Sequence, residues 1–472
     1  MKFISTRLAA PILSFEDVVL QGLASDGGLY VPEFLPKFDQ KDILKMKKMS
    51  YEELFFEVTR HFVDSELDSE LYKKIIKKSY QNFSHTAIAP LKQLSHNHFL
   101  LELFHGPTLA FKDFALQFLG NLLDHFLSKR QEKIVIIGAT SGDTGSAAIQ
   151  GCMACQSAQI FILHPHNRVS EIQRKQMTSV IADNVFNIAI EGNFDDCQNM
   201  VKRMFLEENN GQKFLKNKRM VAVNSINFAR IMAQIVYYFY AAIRLGANEE
   251  NPISFSVPTG NFGDIYAGFL AKEMGLSINR LIIATNSNDI LVRFLNHNDY
   301  TKAQLLETIS PSMNIQVSSN FERLLFDFHK KQKSEEKLEI LMKEFERSGA
   351  LKIDSGILQE IQKIFSGYAV DDETTKTMIE KIYNNTGEVL DPHTAVGAHA
   401  AEQFIASKHY RDEFVVTLAT AHPAKFGESL ANLNVPNPTL PVFLKDLPNR
   451  KEQFEVIEND FESVKNFIAT KV

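Results

Sequence analysis

The segment HGPTLAFKDF, residues 105–114, sets one lysine, Lys112, among Leu109, Ala110, Phe111 and Phe114. An ammonium in such company loses hydration, which lowers its pKa and leaves more of it as free amine. A free amine is a nucleophile that forms a Schiff base with an aldehyde. The competing reading is a lysine that lays its stem on apolar surface and reaches water with its head. Two further stretches could do chemistry beside it. GATSGDTG (138–145) and PTGNFGD (258–264) each follow a β-rich run and precede a helical pattern. Small residues let backbone N–H groups close on a ligand, and a helix N-terminus favours negative charge, so each loop could cradle an anion. Ser141 and Thr144 add hydroxyls to the first loop, and Asn261 adds an amide to the second. The first loop has no Gly-Lys-Ser/Thr at P-loop spacing and is not G-x-G-x-x-G. Ordinary turn and N-cap chemistry competes for both loops. One apolar-flanked lysine with two anion cradles suggests a ligand carrying a phosphate and an aldehyde, and a second, anionic substrate.

The elements that must hold these groups follow a strand–helix rhythm from about residue 130. KIVIIG, QIFILH, VFNIAI, PISFSVP, RLIIAT and EFVVTLAT read as buried strands separated by helical patterns. Continuous Val/Ile runs of this kind indicate parallel sheet covered on both faces. Ligands of such sheets bind beyond the carboxyl ends of the strands, where both loops fall. INFARIMAQIVYYFYAAIRLG is apolar most of the way round and reads as a core helix between layers. Four regions result. Residues 1–90, with the turn-rich GLASDGGLYVPEFLP and the helical SYEELFFEVTRHF and LDSELYKKIIKKSYQNF, form a small N-terminal domain. Residues 91–294 carry the lysine and both loops. Residues 295–390 break the rhythm; HKKQKSEEKLEILMKEFERSG is a charged helical pattern, so this region is a mainly helical insertion. Residues 391–472 return to the α/β core.

At 472 residues the chain is long enough for two or three domains. A formal charge of -6 offers no electrostatic case for nucleic acid or an anionic membrane as partner. No apolar stretch is long enough to span a bilayer. The opening MKFISTRLAAPILSFEDVV is a poor signal peptide, and a cytoplasmic location is the default expectation. Cys152, Cys155 and Cys197 cannot build a disulfide framework. The C-x-x-C pair lies past the helix start near Thr144, so the cysteines read as small buried fillers without redox or metal roles. His105, His393 and His422 show no ligand spacing, and no metal is expected.

In GLASDGGLYVPE, FHGPTLAFKDFALQ, GATSGDTGSAA, VNSINFARIMAQ, VPTGNFGDIYAG, SPSMNIQVSSNFERLLF, DPHTAVG and ATAHPAKF, taken in order, the sequence resembles the threonine synthase family. These are pyridoxal-phosphate enzymes of the tryptophan-synthase β-like group, fold type II. The similarity runs over nearly the whole chain and favours the long bacterial and fungal branch. STRL at residues 5–8 departs from the STRG of that pattern. The resemblance implies an α/β fold of parallel-sheet lobes with helices on both faces, pyridoxal 5'-phosphate as cofactor, and a monomer. It implies a carbon–oxygen lyase that converts O-phospho-L-homoserine and water to L-threonine and phosphate by γ-elimination and β-addition of water.

By the same resemblance Lys112 is the catalytic, cofactor-binding lysine. Gly260, Asn261, Phe262, Gly263 and Asp264 bind the cofactor, the backbone amides taking its phosphate. Asp264 orders the loop or caps the helix, since two anions repel. Thr420 faces the pyridine nitrogen. Ser141, Gly142, Asp143 and Thr144 belong to the substrate carboxylate and amine side, with an N-cap as the other reading of Asp143. Asn227 and Arg230 are candidates for the substrate phosphate, against a surface arginine paired to an acid. Two rivals stay open. A serine or threonine dehydratase, or a cysteine-synthase-like enzyme, would not need a second phosphate site. A catalytically dead ligand-binding homologue is countered by the joint presence of Lys112, the phosphate loop and Thr420.

Overall fold

A computed structural model of the chain describes every residue except 64–65, 210, 212–213, 216–217, 223–224 and 408–411. The Val/Ile-rich runs are strands, divided between two sheets. Among the described residues the smaller sheet has five strands in the order Glu455–Glu458, Val185–Glu191, Ala158–Pro165, Ile134–Ala139, Arg219–Ala222, all parallel. The larger has six, in the order Phe365–Ala369, Ile278–Thr285, Ile253–Pro258, Val415–Ala419, His98–Glu102, Leu91–Gln93. Only its last pair is antiparallel.

The strands without a clear sequence signal are mostly edges. Glu455–Glu458, Arg219–Ala222, Phe365–Ala369 and Leu91–Gln93 each end a sheet, and one exposed flank removes the need for a continuous apolar run. Phe365–Ala369 lies in the region read as a helical insertion. That region holds the helices Phe321–Lys331, Glu336–Ser348, Ser355–Ile364 and Asp372–Thr386, and it also completes the larger sheet.

The apolar helix is Phe228–Arg244, buried from Phe228 through Ile243. It packs against Lys112–Arg130, Gly263–Glu273 and the N-terminal helix Tyr51–Val63. The N-terminal region therefore shares the main core, with the Phe62 and Phe228 ring centroids 5.7 Å apart and those of Phe55 and Phe118 4.8 Å apart.

A short ribbon, Phe3–Ser5 against Tyr30–Pro32, is tied to the insertion. Thr6 Oγ1 and Arg7 Nε donate to Glu322 Oε1 at 2.6 and 3.1 Å. The fully buried Arg323 donates to the carbonyls of Tyr30 and Ile226. Leu8, the departure from STRG, has φ +61°. In that left-handed region a Cβ costs on the order of 1 kcal/mol, which is why glycine suits the position. The cysteines are buried and unpaired, and burial pushes each thiol up to about 12. Among the described residues no helix is long and apolar enough to cross a membrane.

Candidate active site

Three neighbouring parallel strands of the larger sheet, Ile253–Pro258, Val415–Ala419 and His98–Glu102, open their carboxyl ends on one side. The chain leaving them carries the 258–264 loop, Thr420 and the lysine segment. Lys112 is the first residue of the helix Lys112–Arg130. The turn before it is held at several points. The Phe111 N–H donates to the Thr420 carbonyl at 2.8 Å, and the His422 N–H donates to the Leu109 carbonyl at 3.0 Å. Asp113 accepts from the Thr108 N–H at 2.8 Å and the Thr108 hydroxyl at 2.7 Å. A side chain at Gly106 would meet Asp113 at 2.5 Å, so only glycine lets this turn close.

Lys112 is 8% exposed, and its Nζ lies 3.3 Å from Asp143 Oδ2 and 4.8 Å from the Phe111 ring centroid. Asp143 comes from the smaller sheet, at the start of Asp143–Cys152 just beyond Ile134–Ala139. A second lysine meets it: Lys425 Nζ is 2.7 Å from Asp143 Oδ1 and donates to the Thr108 carbonyl at 2.7 Å. Gln173 Nε2 adds a donor to Oδ1 at 2.8 Å. Burial lowers the pKa of Lys112, and repulsion from Lys425 and Arg230 works the same way, against the attraction of Asp143. Burial opposes the charge of Asp143, but Lys425 and Lys112 outweigh it and hold the carboxyl well below the usual range.

The N-cap reading of Asp143 is thereby replaced. The N-cap is Gly142, at φ +145° without a side-chain cap bond, and Asp143 is an ion-pair partner. A Cβ at Gly142 would sit 2.6 Å from Gln173. Thr140 Oγ1 accepts from the N–H groups of Gly142 and Gly145 at 3.0 and 2.9 Å. Ser141 and Thr144 are half-buried, and their hydroxyls have no partner among the described residues.

In the second loop Phe262 is left-handed, φ +63°, and the helix Gly263–Glu273 follows. The N–H groups of residues 260–263 meet no acceptor among the described residues, as the exposed first turn of a helix requires of an anion site. The carbonyl side is braced instead: Ser318 Oγ donates to the Gly260 carbonyl at 2.7 Å, and the Asn320 N–H and Nδ2 donate to the Asn261 carbonyl at 3.0 and 2.9 Å. Behind them the Ser312 N–H donates to His393 Nε2 at 3.1 Å, leaving Nδ1–H for Asp391 at 2.9 Å. Asp264 Oδ1 accepts from Tyr237 at 2.5 Å and from Tyr238 at 2.9 Å. Burial pushes this carboxyl up to about 6 despite those two hydroxyls. Asp264 thus anchors the loop to the core helix. Thr420 is buried, its N–H donating to Thr394 Oγ1 at 3.2 Å and its hydroxyl unpartnered among the described residues.

Arg230 is not the ion-paired surface arginine of the competing reading. It is 3% exposed, and its Nε and Nη1 have no partner among the described residues. Burial lowers it to about 10. Asn227, expected beside it at a phosphate, caps the core helix through the Ala229 N–H at 3.0 Å and donates to the Val19 carbonyl at 2.9 Å. His105 pairs with Glu102 at 2.7 Å, and His422 Nδ1 accepts the Ala424 N–H. Sequence reasoning missed Lys425, although Ala424 and Phe426 flank it much as apolar residues flank Lys112. Gln173, Tyr237 and Tyr238 carried no signal, because a glutamine on a polar helix and tyrosines in an apolar one are ordinary.

Pyridoxal phosphate fits these residues. Its aldehyde suits the buried amine of Lys112, its phosphate suits the free N–H groups of residues 260–263, and its ring nitrogen suits the hydroxyl of Thr420. Two parallel-sheet lobes meeting at such a lysine define a pyridoxal-phosphate-dependent enzyme of fold type II. The model of pyridoxal-phosphate dependent enzymes matches residues 81–339, flanked by the threonine synthase N terminus model at 2–80 and the C-terminal model at 394–468. The threonine synthase of Pseudomonas aeruginosa is 54% identical over 470 residues, covering 99% of this chain and 98% of its own length. That of Saccharomyces cerevisiae is 41% identical, covering 99% and 97%. The solved structure of PLP-bound threonine synthase from Brucella melitensis superposes with a TM-score of 0.94 at 45% identity, covering 100% of this chain and 99% of its own. The chain belongs to the threonine synthase family.

Proposed function

We infer that this protein is a carbon–oxygen lyase that converts O-phospho-L-homoserine and water to L-threonine and phosphate. The observation that carries the choice of substrate is Arg230, a buried guanidinium whose Nε and Nη1 have no partner among the described residues and whose charge reaches Lys112. Together with the 258–264 loop it supplies two sites for two phosphates, one on the cofactor and one on the substrate. A dehydratase would have no use for the second.

When bound, pyridoxal phosphate supplies an electron sink that spreads carbanion charge. Lys112 would hold the cofactor through its amine and, as a free amine, would take and return protons at Cα and the neighbouring carbons of the substrate. The N–H groups of Gly260, Asn261, Phe262 and Gly263 would receive the cofactor phosphate, and Asp264 holds that loop in place. The Thr420 hydroxyl would offer the pyridine nitrogen an uncharged partner, which suits elimination better than transamination. Ser141, Gly142 and Thr144 receive the substrate carboxylate, and Asp143 orients Lys112. Arg230 takes the substrate phosphate with bidentate geometry, and Asn227 fixes the start of its helix. A cytoplasmic monomer accompanies this reading, and the net charge of -6 offers no electrostatic case for nucleic acid or an anionic membrane as partner.

The test is an assay of the purified protein with O-phospho-L-homoserine. Equal release of phosphate and threonine supports the reading; ketobutyrate from threonine without phosphate release favours a dehydratase. Arg230→Ala should raise KM for the phosphorylated substrate by about 10²-fold while cofactor affinity changes by no more than about twofold. An unchanged KM removes Arg230 from the site.

A further inference from the structure

Asp143 is shared between two buried ammonium groups, and the sharing is unequal. Lys425 has two acceptors, Asp143 Oδ1 at 2.7 Å and the Thr108 carbonyl at 2.7 Å. Among the described residues Lys112 has one, Asp143 Oδ2 at 3.3 Å, and otherwise faces the Phe111 ring. A single buried lysine on a single carboxylate would form a neutral pair and hold its proton firmly. Two lysines on one carboxylate leave an excess positive charge, and the proton most easily lost belongs to the less well held ammonium.

We propose that Lys425 is a positioning residue for the reaction: by occupying Asp143 and the Thr108 carbonyl, its fixed charge keeps Lys112 available as a free amine. The role rests on the function inferred above, because Lys112 must be unprotonated to accept a proton from carbon. The surroundings agree with it. Lys112 faces Asp143 from the smaller sheet, together with Lys425, Arg230 and Asp264, the last engaged by Tyr237 and Tyr238. Lys425 also acts on Asp113, bonded to Thr108, and on His422, which burial pushes down to about 4 so that it adds no charge. Removing Lys425 takes away repulsion on Lys112 and frees Asp143 to pair with it, so both changes favour the ammonium.

Two measurements on the full-length chain test this. The first is kcat against pH for the cofactor-loaded enzyme. The second is the pH dependence of reductive methylation at Lys112, read by peptide mass spectrometry after the cofactor is removed. In Lys425→Met the acidic limb of kcat should move about one pH unit toward alkali, so that turnover near neutrality falls about tenfold and recovers at higher pH. The methylation midpoint of Lys112 should move the same way, and Lys425→Arg should keep both near wild type. A midpoint unmoved in Lys425→Met, or displaced equally in Lys425→Arg, overturns the proposal. Should Lys425→Met not fold, Asp143→Asn replaces it: the midpoint should move toward acid, and a stationary one again overturns the proposal. A wild-type protein that releases no phosphate from O-phospho-L-homoserine defeats the functional reading, while the methylation midpoints still judge the coupling of Lys425 to Lys112.

Discussion

Two aspartates begin helices that follow parallel strands: Asp143 opens Asp143–Cys152, and Asp264 is second in Gly263–Glu273. Both stand after a glycine in a short loop of small residues, and both are buried. Their surroundings drive them apart. Asp143 meets two ammonium groups and a carboxamide and is held ionised far below the usual carboxylate range. Asp264 meets two tyrosine hydroxyls and is pushed up to about 6. The first loop therefore carries its own anion with cations attached, and two of its amides are already taken by Thr140. The second has its carboxylate directed onto the tyrosines, so its free N–H groups remain for an external anion. Similar local designs acquire opposite electrostatics from what packs against them.

The largest expected effect breaks the comparison at its cation. Lys112→Ala removes the covalent anchor but leaves the second loop intact, so turnover should fall by at least about 10³-fold while the cofactor still binds without covalent attachment. Borohydride reduction and peptide mapping check the attachment, and a fully active variant would end the scheme.

The aspartates themselves come next, read by urea unfolding between about pH 3 and 7. Asp264 has a folded pKa above its unfolded value, so the folded state binds the extra proton. Its contribution is favourable in acid and is lost as pH rises through about 6, a burden on the order of 2–3 kcal/mol. Asp264→Asn keeps the acceptor for both tyrosines, and its stability relative to wild type should climb over that window. Asp143 has a depressed pKa, so its contribution is present above about pH 4 and lost as pH falls. Asp143→Asn should lose ground relative to wild type as pH rises from about 3 to 5. Slopes of the same sign would erase the contrast.

Gly142→Ala sharpens it on the backbone side. The left-handed φ and the 2.6 Å approach to Gln173 predict a loss of about 2 kcal/mol, with the Gln173 contact to Asp143 disturbed. A melting temperature within a degree of wild type would contradict this. The smallest effect serves as a control: Leu8→Gly relieves left-handed strain and should stabilise by about 1 kcal/mol while leaving both pH slopes unchanged. A loss of stability would mean that the leucine side chain does more than strain the turn.

Short-range patterns made much of this molecule legible. The buried strands, the core helix, the apolar setting of Lys112 and the two strand–loop–helix turns follow from residues within a few positions of one another, because periodicity and turn chemistry are local properties. The edge strands Phe365–Ala369 and Glu455–Glu458 escaped, since a half-exposed strand leaves little apolar signature. The burial of Arg230, the partners of Asp143 and the turn of Asp264 toward Tyr237 and Tyr238 were not readable at all. Lys425 reaches the Thr108 carbonyl across 317 positions of chain. Desolvation and Coulomb energy depend on distance in space, and no local pattern records which remote side chains fold into contact. The chain's own order of residues thus set which groups could react, and packing set their charge.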